Sequence, residues 1–211
     1  MAGRFWISAA SAAALVVALA GVSASPAFSG GFGALHAHAA ATRPSPAAQI
    51  LGNPSGDVTI VEFFDYACPS CKAAEPRVEA LLKADKGVRL VVNEYPVLSP
   101  QSALASRAAL AAARQGKYTA FHQQLLLYRG GLDEAAIFGV AQDVGCDLKR
   151  LRKDMADPAI AKAIADTLRL AKAVGVQGTP TFIVGDHIIT QPSASIDFPA
   201  LAAARRAHPP A

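Results

Sequence analysis

The sequence predicts an α/β fold: a strand–helix–strand unit, an all-helical insertion, and a closing strand–strand–helix unit. Three observations predict it. Val58 to Phe64 is an apolar, β-branched run whose only charge is Glu62, and it leads directly into a helical pattern. From Ser99 to about Val174 the chain carries helix caps and helix formers and no strand-like run. Thr181 to Val184 and His187 to Thr190 are short β-rich runs on either side of Gly185-Asp186, the pattern of a hairpin.

Taken in order, residues 1–24 read as a secretory signal. Arg4 supplies the positive start, Phe5 to Val22 is apolar, and Val22-Ser23-Ala24 has the small residues of a cleavage site. The competing reading is an uncleaved membrane anchor, near the minimum length for a span. Either reading puts the domain outside the cytoplasm, in a periplasm or cell envelope where disulfides persist. Residues 25–48 are Ala, Pro, Gly and Ser without period, a flexible linker. His36 and His38 lie in it, and with no third ligand they read as solvated. The domain spans 49–208, starting with the turn-rich Gly52 to Asp57.

The helix after Phe64 carries Ala74, Val78, Leu81 and Leu82 at helical spacing, with Pro69 in its first turn and a kink expected at Pro76. Asp85-Lys86-Gly87 ends it, and Val88 to Tyr95 reads as a second strand, parallel to the first through a right-handed crossover. Ser99-Pro100 caps the first helix of the insertion, about 99–174. Lys117–Arg129, a helix starting at Leu132 or Asp133 and running to Val144, Asp147–Met155, and a helix capped by Asp157-Pro158 and running to about Val174 follow, with stops at Gly130-Gly131, Gly145 and Gly175. Asp197 to Ala207 is the closing helix. A formal charge of +4, evenly spread, excludes a nucleic-acid partner, and 52% hydrophobic residues suffice for a sizeable core.

The chemistry sits where the first strand meets its helix. Cys68 and Cys71 are two residues apart, with Pro69-Ser70 between them. A sulfur at a helix N-terminus faces unpaired amides and the positive end of the dipole, which favour thiolate, so Cys68 is the expected nucleophile. Cys71, one turn inside, is expected to resolve the mixed disulfide. Two alternatives compete. Half of a structural zinc site needs two more ligands, and only Cys146 and scattered histidines remain. An inert structural disulfide closing so short a loop adds little stability.

Three stretches carry a resemblance: Val61 to Cys71; Ala108 to His122, with Gly116-Lys117-Tyr118 and Phe121-His122; and Gly175 to Val184. The chain resembles the thioredoxin fold with an all-helical insertion between its βαβ and ββα halves, and more closely the DsbA-like family of bacterial envelope thiol–disulfide oxidoreductases. The resemblance implies attack by Cys68 and resolution by Cys71. Glu62 matches the buried acid that shuttles the Cys71 proton, with a raised pKa. Thr179-Pro180 matches the family's cis-proline loop, which packs on the dithiol and pairs with extended substrate, Pro69 and Ser70 lying on the same surface. Ser70 stands where the strongest oxidants carry histidine, which implies a milder oxidant. Thr179 is more typical of isomerase and reductase relatives.

The expected activity is therefore exchange of a Cys68–Cys71 disulfide with thiols of unfolded or reduced client proteins, as an oxidase. The alternative is an isomerase or reductase of the same fold. The groove between the dithiol and Thr179-Pro180 is expected to be apolar and shallow. No dissociable cofactor is required. The resemblance implies a membrane redox partner, either a quinone-linked oxidase or an electron donor. Rivals from other classes are a soft-metal (copper) chaperone using the two cysteines and a histidine, and a redox-inert holdase. Cys146 reads as a small buried hydrophobe, with a second redox thiol, a glutathionylation site or an intermolecular link as alternatives. His122 reads as a packed or partly exposed residue, and Lys72 as a solvated charge near the thiolate.

Overall fold

The computed structural model describes residues 48–190 and 195–208; the signal at 1–24, the histidines at 36 and 38, and the linker up to Ala47 lie outside them. The described elements are β1 (Gln49–Gly52), β2 (Val58–Phe64), α1 (Pro69–Ala84), β3 (Val88–Glu94), α2 (Pro100–Ala113), α3 (Tyr118–Leu127), α4 (Glu134–Asp143), α5 (Leu148–Met155), α6 (Pro158–Ala173), β4 (Thr181–Val184), β5 (His187–Ile189) and α7 (Phe198–Ala207). The sheet order is β1-β3-β2-β4-β5. β2 and β3 are parallel, as the crossover helix requires, and the β4–β5 hairpin joins antiparallel to β2 through Ile60↔Val184 to Phe63↔Thr181. It is a mixed α/β thioredoxin-like fold with a helical insertion.

β1 was not anticipated. It pairs antiparallel with β3 at the sheet edge, and of its four residues Gln-Ile-Leu-Gly only Leu51 is fully buried. So short an edge strand carries no legible period. Gly52 ends it at φ 75°, where an added Cβ would lie 2.7 Å from the Val88 carbonyl oxygen. α1 runs through Pro76 without ending, and β5 stops one residue short of Thr190.

Central strand β2 is buried on both faces, which explains its unbroken apolar run. Val58, Ile60 and Phe64 point into the main core with α1, α7 and the insertion helices. Val61 and Phe63 point to the other face, where Val91, Ile183, Ala171 and Val174 cover them. By alternation Glu62 falls on the main-core side, beneath α1. Side-chain caps from Ser99, Asp133, Asp147, Asp157 and Asp197 start five of the helices.

Arg206, near the end of α7, donates to both Asp57 (2.8 Å) and Asp85 (2.7 Å), clamping the closing helix to the turns before β2 and after α1. Arg206→Ala is expected to lower the urea unfolding midpoint at low ionic strength. The difference should shrink in about 1 M salt, because exposed charges are screened there. A salt-independent difference would point to lost packing instead.

Candidate active site

Cys68 is the N-cap of α1, in extended backbone, with no side chain of its own capping the helix. The first-turn amides are therefore left free to face its sulfur. Asp65 builds the approach to it. Its carboxylate accepts from the Ala67 amide (2.7 Å) and from the amides of Val97 and Leu98 (2.9 and 3.0 Å), and its carbonyl accepts from the Cys68 amide (3.0 Å). One wholly buried carboxylate thus fastens the cysteine turn to the loop after β3.

Both sulfurs are free thiols in this structure. The Cys68 pKa is lowered to about 5, chiefly because the Cys71 thiol donates to its sulfur; the Thr179 side chain and the backbone amides of Cys71 and Ser70 add to this, against the opposing effect of burial. Cys71 is pushed far above the ordinary thiol range by burial, by giving its proton to that same hydrogen bond, and by Glu62 nearby. The pair is therefore an anion and a neutral thiol at neutral pH.

Thr179 and Pro180 close the other side. Their peptide bond is cis, and the Thr179 carbonyl oxygen lies 3.3 Å from Cys68 Sγ. A carbonyl can accept only from the protonated sulfur, so this contact belongs to the thiol form. Pro69 and Ser70 are exposed beside them. A cavity of about 470 Å³ adjoins the loop, lined by Gly175, Gln177, Gly178, Thr179, Pro180, Thr181 and Thr190. Glycine backbone and threonine and glutamine side chains make this cavity polar, and neither cysteine lines it. Val97, Leu98, Leu127 and Tyr128 are exposed apolar residues, Val97 and Leu98 held by Asp65 and Tyr128 by Lys72.

Glu62 lies 1% exposed beneath the dithiol, and its Oε2 has no hydrogen-bond partner. Burial first, then the charges of Glu75, Cys68 and Glu94, raise its pKa well above the carboxylate range. Around it the structure gathers buried groups that sequence reasoning missed. Glu94, at the end of β3, accepts from Tyr66 (3.1 Å) and Tyr118 (2.8 Å) on one oxygen and from Ser106 (2.7 Å) on the other. Burial still pushes it to about 8, against those three donors. His122 is wholly buried, stacked on Tyr118, with Nδ1 3.2 Å from the Tyr66 hydroxyl and Nε2 3.8 Å from Glu75. Burial lowers it to about 3, so it is neutral.

Lys72 donates to the Tyr128 carbonyl (2.8 Å) rather than standing free in solvent. Cys146 is buried in the main core, and burial raises its pKa. Among the described residues, no cluster of three or more His, Cys, Asp and Glu side chains is placed to hold a metal ion. Among those residues, too, no helix is long and apolar enough to cross a membrane.

The model of the DSBA-like thioredoxin domain matches residues 59–202. Among solved structures, a thioredoxin-like oxidoreductase from Silicibacter pomeroyi is 41% identical, with a TM-score of 0.73 over 78% of this chain and 95% of that one. A periplasmic thioredoxin-like protein from Salmonella enterica serovar Typhimurium is 29% identical, with a TM-score of 0.70 over 81% and 96%. The catalytic domain of Proteus mirabilis ScsC is 26% identical, with a TM-score of 0.71 over 82% and 96%. Among curated proteins, the Na(+)/H(+) antiporter NhaA 1 of Salinispora arenicola is 37% identical over 137 residues, 64% of this chain but 21% of that protein. The chain thus spans about a fifth of the length of the curated relatives it matches.

Proposed function

Because the chain belongs to the family of DSBA-like thioredoxin domains and is a thiol–disulfide oxidoreductase of that type, we propose that it works as an exported oxidase, passing a Cys68–Cys71 disulfide to folding client proteins. A client thiolate attacks Cys68 Sγ, the S–S bond breaks, and Cys71 leaves and is protonated. A second client thiolate then attacks the client sulfur of the mixed disulfide and releases Cys68 as thiolate. Two electrons pass from the client to the enzyme dithiol.

The observation that carries this direction is Cys68 at the uncapped N-terminus of α1, where the Cys71 thiol and the first-turn amides lower its pKa to about 5, which makes that sulfur a good leaving group and favours the reduced enzyme. Glu62 supports it. Held protonated by burial and neighbouring charges, it is ready to donate to Cys71 as that sulfur leaves. Thr179, Pro180, Pro69 and Ser70 form the substrate surface, and the exposed Val97, Leu98, Leu127 and Tyr128 offer apolar contact to an unfolded chain. A membrane redox partner would restore the disulfide. The reading as isomerase or reductase is favoured by Thr179 before the proline.

Equilibration of the dithiol against a glutathione series separates the two. An oxidase gives a potential toward about −120 mV, and a value nearer about −270 mV assigns a reductase.

A further inference from the structure

The cis-proline loop has two sides, and the dithiol occupies only one of them. Cys68 and Cys71 pack with the rest of α1 in the main core. Thr181 lies on the other face of the sheet, because Ile183, two residues on, belongs to the core that Ala171 and Val174 cover. The cavity of about 470 Å³ is on that other side, between Gly175 after α6, the loop to Pro180, and Thr190 after β5. Thr179 belongs to both sides. It lines the cavity, and its carbonyl oxygen is 3.3 Å from Cys68 Sγ.

The lining restricts what can enter. The backbone amides of Gln177, Gly178 and Thr179 have no hydrogen-bond partner among the described residues, and neither does the Gln177 side chain. Such a row of unfilled donors favours a group that accepts hydrogen bonds. The Thr181 hydroxyl gives its proton to the Gly178 carbonyl (2.7 Å), which fastens the loop to β4 and leaves the hydroxyl oxygen as an acceptor. No Lys, Arg, Asp or Glu lines the cavity. α6 ends at Ala173, and the negative end of its dipole meets the cavity at Gly175. The helix end therefore opposes an anion, and the amide donors oppose a cation. An apolar side chain would take water from the donors and give them nothing in return.

We propose that this cavity is a client subsite that selects an uncharged side chain able both to accept and to donate, a carboxamide or a hydroxyl, close to the client cysteine. The proposal rests on the oxidoreductase reading above, in which an extended client pairs with the Thr179 backbone. An extended chain advances about 3.3 Å per residue, so a residue one or two places from the client cysteine passes Thr179 and reaches the cavity. There its side chain accepts from the Gln177 or Gly178 amide and donates to the Thr181 oxygen. Clients with Asn, Gln, Ser or Thr beside the reactive cysteine are the ones favoured.

A peptide series on the oxidised protein tests this. Each peptide carries one cysteine in a glycine background, with Asn, Ser, Leu, Asp or Lys placed at either of the two positions on each side of it. The second-order rate of opening the Cys68–Cys71 disulfide is read by acid quench and mass, corrected for the ionisation of each peptide thiol. At one of these positions Asn and Ser are expected to exceed Leu, Asp and Lys by about tenfold. Gly178→Val adds a side chain to a lining residue at a point where an added Cβ meets nothing within 4 Å. In that variant the preference should fall to about twofold or less. A Gly178→Val protein that keeps the full preference overturns the proposal. A wild type that reacts alike with all five side chains, or fastest with Leu, Asp or Lys, overturns it too, and exchange at Cys68 then stands. If no peptide opens the disulfide faster than free cysteine does, the reading of a client surface at Thr179 falls together with the cavity.

Discussion

Cys68→Ser is expected to abolish disulfide exchange, with a loss of at least about a thousandfold, because no other sulfur of this chain combines a helix N-terminus with a resolving partner. Cys71 is neutral and buried, and Cys146 lies in the core with its pKa raised. The sign of the pH dependence follows from Cys68 at about 5 against an ordinary 9.0. At pH 7 roughly 99% of Cys68 is thiolate, and reactivity is lost as pH falls through about 5. Alkylation of the reduced protein across a pH series should therefore show one fast sulfur with a midpoint near 5. Cys71→Ala removes the largest cause of the shift, so the midpoint should climb toward 9. A wild-type midpoint already at the ordinary thiol value would overturn the assignment of the nucleophile.

The sequence disclosed the parts of this site that are local along the chain. The strand, the turn and the two cysteines occupy one short stretch, and Glu62 stands out as the one charge in an apolar run. Helix starts at Ser99, Asp133, Asp147, Asp157 and Asp197 were readable because a cap is a contact over two or three residues. What stayed hidden depends on distant pairing. Glu94 reads as the polar end of a strand until Tyr66, Ser106 and Tyr118 converge on it from three other elements. Glu75 has the spacing of a buried position, i+4 from Cys71, but a charge there looks like a solvated face until the insertion covers it. Asp65 looks like a turn residue, and its hold on Val97 and Leu98 exists only after β2 and β3 lie side by side. His122 was legible as packed or partly exposed, but neither Tyr66 in the cysteine turn nor Glu75 on α1 could be named as its neighbour.

The largest stability effect is expected at Glu94, because its carboxylate is where the sheet, the cysteine turn and the helical insertion are joined by hydrogen bonds. Glu94→Ala leaves the hydroxyls of Tyr66, Tyr118 and Ser106 without their acceptor in a buried site. Each unsatisfied group costs about 1–3 kcal/mol, and Ser106 can turn to a carbonyl of its own helix, so the two tyrosines together should cost about 2–6 kcal/mol. That is a large share of the roughly 5–15 kcal/mol that holds a domain of this size. Glu94→Gln keeps one acceptor oxygen and should cost only about 1 kcal/mol. The pH dependence separates two views of the wild-type group. With Glu94 raised to about 8 from 4.5, its contribution is complete below pH 4.5 and is lost as pH rises through about 8. Glutamine cannot ionise, so the stability gap between wild type and Glu94→Gln should narrow across that window in urea titrations. A gap that widens toward alkaline pH would mean that the three donors outweigh burial and that Glu94 is held as an anion. In that case the fixed charge beneath the cysteine turn would oppose the thiolate at Cys68, and the Glu94→Gln variant should then shift the alkylation midpoint downward.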